Sequence, residues 1–207
     1  ELRRRNLIAR EAFPYRNATG HTYDSGDFEG VLDKCLALSD WSGFSARATA
    51  AMARGRLRGI GLAMAIEPSG GGLAATEEAS IRFNPDRTVA IYSMTQSNGQ
   101  GHETTFPMLV GELLGIAPSK IQLHASDADS TLTGFGSVGS RSLMLAGSAF
   151  KLAAQQVIEK ARVLAAQTLG VPGEGLEFRD GAFVAPGAKP IELLDLGAAR
   201  LDDGSGV

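Results

Sequence analysis

The run Ser97-Asn98-Gly99-Gln100-Gly101-His102-Glu103-Thr104-Thr105 holds residue types and spacings that could do chemistry. It lies between a stretch that reads as a strand, 89–94, and one that reads as a helix. Glycines on both sides of Gln100 let the backbone come close to a ligand. The helix start directs free N–H groups and a partial positive charge at whatever sits there, which suits an anion. The Gln100 side chain carries both a donor and an acceptor, so it can read an oxo group or the edge of a heterocycle.

A second run, Gly134-Phe135-Gly136-Ser137-Val138-Gly139-Ser140-Arg141-Ser142, also ends at an expected helix start. Its glycines, hydroxyls and Arg141 make it another phosphate cradle, with the guanidinium adding a charge-assisted pair to the backbone donors. Each run also reads as a plain turn, with Thr104 or Thr105 capping the first helix and a serine the second, and spacing does not choose between these readings. Two such loops in one small domain point to a bidentate anion such as a pyrophosphate.

Other chemistries find less support. Asp127 and Asp129 could serve acid–base or metal work, but such a pair is expected as a solvated turn. His21, His102 and His124 have no metal-ligand spacing, so no metal is expected on protein side chains. Cys35 is the only cysteine, which excludes an internal disulfide and a thiolate-held cluster, and its apolar helical surroundings place it in packing. No nucleophile turn, Walker-type lysine loop or dinucleotide fingerprint is present. A net charge of −3 supplies no basic field for nucleic acid, and no run is apolar and long enough to span a bilayer.

The elements that must position these loops follow from periodicity. The hairpin is expected from Ala79 to Phe83 and from Val89 to Met94, around the turn Asn84-Pro85-Asp86-Arg87. Phe106, Leu109, Val110, Leu113 and Leu114 make one helical stripe that Gly115 stops, with Pro107 in its first turn. A strand from Ile121 to Ala125, a loop from Asp127 to Ser140 and a long helix from Ser142 to Leu169 follow. A last hairpin turns at Asp180-Gly181. Upstream, a short first helix, a helix capped by Asp27 and a helical stretch from Trp41 to Arg56 are expected. Arg58 to Glu67 reads as a strand buried on both faces, ended by a loop at Ser69 to Gly72.

The order predicts an α+β fold with a mixed β-sheet and helices packed on one face. Residues 1–56 are expected as a helical segment leading from an upstream domain, and 57–207 as part of the α+β domain that carries the loops. A chain of 207 residues, 43% of them hydrophobic, can bury a substantial core. It begins at Glu1 without a methionine and its last residues, 201–207, carry no closing element, so it is expected to be a piece of a longer subunit.

The glutamine run resembles the signature loop of molybdenum hydroxylase large subunits, the xanthine dehydrogenase, aldehyde oxidase and carbon monoxide dehydrogenase type. Upstream blocks resemble the same family in the same order: Arg3-Arg4-Arg5-Asn6-Leu7-Ile8, Pro14-Tyr15, Thr22-Tyr23-Asp24-Ser25-Gly26-Asp27-Phe28 and Arg58-Gly59-Ile60-Gly61. Downstream, Gly139-Ser140-Arg141-Ser142 is similar to its second cofactor loop, and Ser126-Asp127-Ala128-Asp129 departs from a Gly-Asp-Thr-Asp pattern, Ala128 standing where Thr is usual.

The resemblance implies an oxidoreductase that hydroxylates an aldehyde or N-heterocycle, or oxidises carbon monoxide, with oxygen from water. It implies molybdopterin with molybdenum, as such or as the cytosine dinucleotide, the metal being held by the pterin. Gln100 would be the catalytic residue near a metal-bound oxo ligand. Gly99, Gly101, His102, Thr104, Gly139, Ser140, Arg141 and Ser142 would join it in lining the cofactor. The remainder of the large subunit and iron–sulfur and flavin (FAD) subunits would be the partners, a small molecule the substrate, and the cytoplasm or periplasm the compartment. The catalytic glutamate of the family would lie beyond Val207, so this stretch alone is expected to be inactive. An ordinary nucleotide enzyme and a non-catalytic binding module are the competing readings.

Overall fold

In the computed structural model, which describes residues 1–67, 70, 76–127 and 129–197, the chain divides into two units, Glu1–Ala65 and Ile66–Val207. Ala128, the tail from Leu201 and most of the loop expected at Ser69 to Gly72 lie outside the described residues; Gly70 is described.

The first unit holds α1 (Leu2–Arg5), the two-residue strands β1 (Tyr15–Arg16) and β2 (Thr22–Tyr23), α2 (Phe28–Leu38) and α3 (Phe44–Met52). The Asp27 carboxylate accepts the Gly30 amide at 3.0 Å, the cap that its residue type predicts. Arg4 pairs with Glu29 at 2.9 Å and with Asp33, holding the first turns to α2. Cys35, expected in packing, is exposed.

The stretch Arg58 to Glu67 corrects the expectation of a buried strand. No strand forms there, and Leu57, just before it, is 93% exposed, with Ile60, Met64 and Ile66 also exposed. A run of small apolar residues states a preference for burial; a strand also needs a neighbour for its amides, and no described strand pairs with this one.

The second unit opens with β3 (Ala79–Phe83), β4 (Val89–Ser93), α4 (His102–Leu114), β5 (Ile121–Ala125) and α5 (Ser142–Leu169). Strands β3 and β4 are antiparallel while β4 and β5 are parallel, so the order β3-β4-β5 makes a mixed sheet. Ile81, Ile91 and Leu123 share one row of it. That face packs on Phe106, Val110 and Leu114 of α4 and on Phe150, Ala154 and Val157 of α5. The Phe106 and Phe150 rings lie 5.2 Å apart between the helices. Burying such a side chain contributes roughly 1.5–3 kcal/mol, so this layer sets the relation of both helices to the sheet.

α4 starts at His102, earlier than the apolar stripe shows, because the stripe marks only the packed face. Pro107 is therefore inside the helix rather than in its first turn, where it offers no amide to the Glu103 carbonyl. Beyond α5, β6 (Glu177–Arg179), β7 (Ala182–Val184) and β8 (Ile191–Glu192) form an antiparallel sheet, closed by α6 (Leu193–Leu196). Asp180 and Gly181 turn the first hairpin with φ of 49° and 78°, the left-handed pair that a two-residue hairpin loop requires.

A candidate cofactor-binding site

Because β4 and β5 are parallel and pair Ser93 with Ala125, the loops that follow them leave the same end of the sheet. The Ser126 amide still donates to the Ser93 carbonyl at 2.9 Å where the loops begin. Each loop then runs into a helix, α4 or α5, so two helix starts meet at the carboxyl ends of parallel strands. Ligands in sheets with parallel strands commonly bind there.

The loops touch through Ser137. Its amide donates to the Gln96 side-chain oxygen at 3.0 Å, its hydroxyl to the Gln96 carbonyl, and it accepts the Gln100 Nε2 donor at 3.2 Å. The Ser142 hydroxyl adds a bond to it at 3.2 Å. The Gln100 side chain is exposed, and its Oε1 accepts the Asn98 amide.

Gly99 and Gly101 stand on either side of it with φ of 99° and 81°, and a Cβ at either would meet nothing within 4 Å. Backbone conformation explains the glycines, and among the described residues nothing fills the space above them. Gly101 caps α4 and Arg141 caps α5, and neither helix start has a side-chain cap. Thr104 and Thr105 lie inside the first turn of α4, each amide on the Gly101 carbonyl at 3.0 Å, so neither is the cap that residue type suggests.

The second loop already receives an anion. The Gly139 amide and the Ser140 hydroxyl, each at 3.3 Å, donate to the two oxygens of the Glu67 carboxylate. Ser140 has φ of 51°, a strained setting for a residue with a side chain, which turns this backbone into the seat. The carboxylate stands in for an anionic group there.

Arg141, expected to add a charge-assisted pair to the backbone donors, is engaged within the loop and by Glu77. Only 2% exposed, it donates through Nε to the Gly136 carbonyl at 3.1 Å, pairs with Glu77 at 3.4 Å and lies over the Phe135 ring at 4.7 Å. Among the described residues its Nη1 is buried without a partner. His102, 5% exposed, stacks on Phe106 at 4.7 Å and also keeps a buried, unpartnered Nδ1. Among the described residues one buried polar atom without a hydrogen-bond partner therefore sits at each helix start, an arrangement that costs stability.

Glu103 completes the first loop by accepting the Ser97 hydroxyl at 3.0 Å. Its own backbone amide and then that hydroxyl hold its carboxyl below the ordinary glutamate value, against the opposing pull of desolvation. Among the described residues no group of three His, Cys, Asp or Glu side chains could hold a metal ion. Asp127 forms a turn by accepting the Asp129 amide at 3.0 Å, as expected of a solvated pair.

Gln96, Glu67 and Glu77 were not among the residues that sequence reasoning singled out. Gln96 lies just before the first run and carried a signal in its proximity; the two carboxylates lie outside both runs and carried none.

Residues 34–204 match the family model described as the molybdopterin cofactor-binding domain. The chain is 34% identical over 199 residues to the carbon monoxide dehydrogenase large chain of Hydrogenophaga pseudoflava, covering 90% of this chain and 25% of that one. It is also 34% identical over 206 residues to subunit gamma of the 6-hydroxypseudooxynicotine dehydrogenase complex of Paenarthrobacter nicotinovorans, covering 97% of this chain and 26% of that one. The crystal structure of the Cu,Mo-CO dehydrogenase in its carbon monoxide reduced state superposes with a TM-score of 0.57 at 31% identity, covering 94% of this chain and 26% of that chain. This chain thus spans about a quarter of the length of the relatives it matches. With the family model spanning most of its residues, the chain belongs to the molybdopterin cofactor-binding domains of the molybdenum hydroxylase family, which includes carbon monoxide and xanthine dehydrogenases.

Proposed function

We propose that this chain supplies the glutamine loop and one phosphate seat of the cofactor cleft in an enzyme that hydroxylates an aldehyde or N-heterocycle, or oxidises carbon monoxide, with oxygen from water. One observation carries the reading: two uncapped helix starts meet across the Gln100–Ser137 bond, with open space over Gly99 and Gly101. The residues fit a pterin that carries phosphate. The Glu67 carboxylate marks where an anion is received, and the buried Nδ1 of His102 and Nη1 of Arg141 are polar atoms awaiting partners.

When bound, molybdopterin supplies the molybdenum centre that accepts the electrons of the substrate. Gly99, Gly101, His102 and Thr104 would line one side of it and Gly139, Ser140 and Ser142 the other, the backbone amides of the helix starts facing the anionic group. Arg141 supports the second loop from beneath. Gln100, with donor and acceptor on an exposed amide, orients the polar group nearest the reacting centre. The base that activates water is a glutamate outside these residues. The rest of the large subunit and iron–sulfur and flavin subunits complete the enzyme, which we place in the cytoplasm, with the periplasm as the alternative. The cytosine dinucleotide is one form of the cofactor that a two-loop seat accommodates. Among the described residues no helix is long and apolar enough to cross a membrane.

The test is Gln100→Ala in the complete enzyme. Pterin binding is shared over two loops, whereas one side chain reaches the reacting region. Turnover is expected to fall about a hundredfold or more, with molybdenum content close to that of the parent. Parental turnover at full loading would reduce Gln100 to a turn residue.

A further inference from the structure

Glu77 lies outside both glycine loops, yet both are tied to it. Its side chain is 2% exposed. Oε1 accepts the Thr95 hydroxyl at 2.6 Å and the Ser93 hydroxyl at 3.5 Å, at the root of the glutamine loop. Oε2 accepts the Phe135 amide at 3.3 Å and pairs with Arg141 Nη2 at 3.4 Å, in the second loop. A single buried carboxylate thus joins the end of β4 to the residue that caps α5.

The chain is shaped to let this happen. A Cβ at Gly134 would lie 2.4 Å from the Met94 Cβ and 2.8 Å from Glu77 Oε1, so only glycine lets the second loop pass over the carboxylate. Glu78 pins the start of the same loop, its amide donating to the Thr133 carbonyl at 2.9 Å and its Oε2 accepting the Thr133 amide at 2.7 Å. Glu78 touches one loop; Glu77 touches both.

We propose that Glu77 is a positioning residue that locks the glutamine loop and the Gly139–Ser142 loop in a fixed relation, so that they grip one ligand together. The proposal rests on the cofactor reading only for the identity of that ligand. A buried carboxylate that has lost its charge leaves the Arg141 guanidinium without its counter-ion, and removing one partner of a buried pair is far more disruptive than its surface equivalent. Both loops should loosen as one unit.

The experiment is hydrogen exchange on the complete subunit with its partners, read on peptides covering 95–101 and 134–142, together with the pterin retained. Glu77→Gln is expected to speed exchange about tenfold or more in both peptides and to lower retained pterin, while Glu78→Gln affects 134–142 alone. Faster exchange in only one of the two peptides, or in neither, overturns the coupling. If Glu77→Gln yields no folded protein, Thr95→Val decides the question: faster exchange across 134–142, a loop that Thr95 does not touch, supports it, and a change confined to 95–101 overturns it. A parent subunit that holds no pterin, with exchange still faster in both peptides of Glu77→Gln, would remove the cofactor reading and leave this coupling standing.

Discussion

At Glu103 the local chemistry fixes a pH dependence. Its own amide and the Ser97 hydroxyl stabilise the carboxylate in the folded chain, so its pKa lies below the ordinary 4.5. A depressed folded value means that the contribution to stability is present above the ordinary glutamate range and is lost as pH falls through the folded value. Thermal unfolding of the parent and of Glu103→Gln, followed on the acid side of that range, should converge as pH drops; parallel curves would show that the contact does not bias the titration. Glu103 also shows what single residues declare. Gly99 and Gly101 stand out as glycines that let a backbone come close to a ligand, with Gln100 between them; the positive φ that requires glycine at both is seen only in the structure. Arg141 was legible as a charge at a helix start, but whether its guanidinium turns outward is decided by Glu77, 64 positions away, and by the Gly136 carbonyl. The Glu67 carboxylate reaches its seat across 72 positions, a distance no local pattern encodes.

Elements were legible where periodicity and caps agree. The β3–β4 hairpin, the Asp27 cap and the stop of α5 at Gly170 follow directly from residue type and spacing. The Arg58–Glu67 strand did not form, because its apolar pattern names a preference and not a neighbour. The start of α4 was misplaced because its first turn faces the loop and carries no apolar stripe. Helix ends also permit a matched experiment. Gly101 at the start of α4 and Gly170 at the end of α5 have φ of 81° and 65°, and a Cβ at either meets nothing within 4 Å. Gly101→Ala and Gly170→Ala should therefore each cost about 1–2 kcal/mol of stability from the left-handed backbone alone. Only Gly101→Ala places a methyl in the space over the glutamine loop, so it alone should lower the pterin retained by the complete subunit. Equal retention in both variants would show that this space is not where the cofactor lies.

On the scale of the molecule, the parallel pairing of β4 with β5 does the most to make a site, since it delivers two loops 37 positions apart at Gln100 and Ser137 to one end of the sheet. The same end carries Phe135, Val138, Leu143 and Met144 exposed, an apolar surface beside the two loops. That placement of a cofactor cleft is the central claim. The most direct measurement is the molybdenum and pterin content of the complete subunit purified with its partners, metal by mass spectrometry and pterin by the fluorescence of its oxidised form. The account predicts molybdenum and pterin in near-equal amounts, close to one of each per chain. A folded, fully assembled subunit containing neither would contradict it.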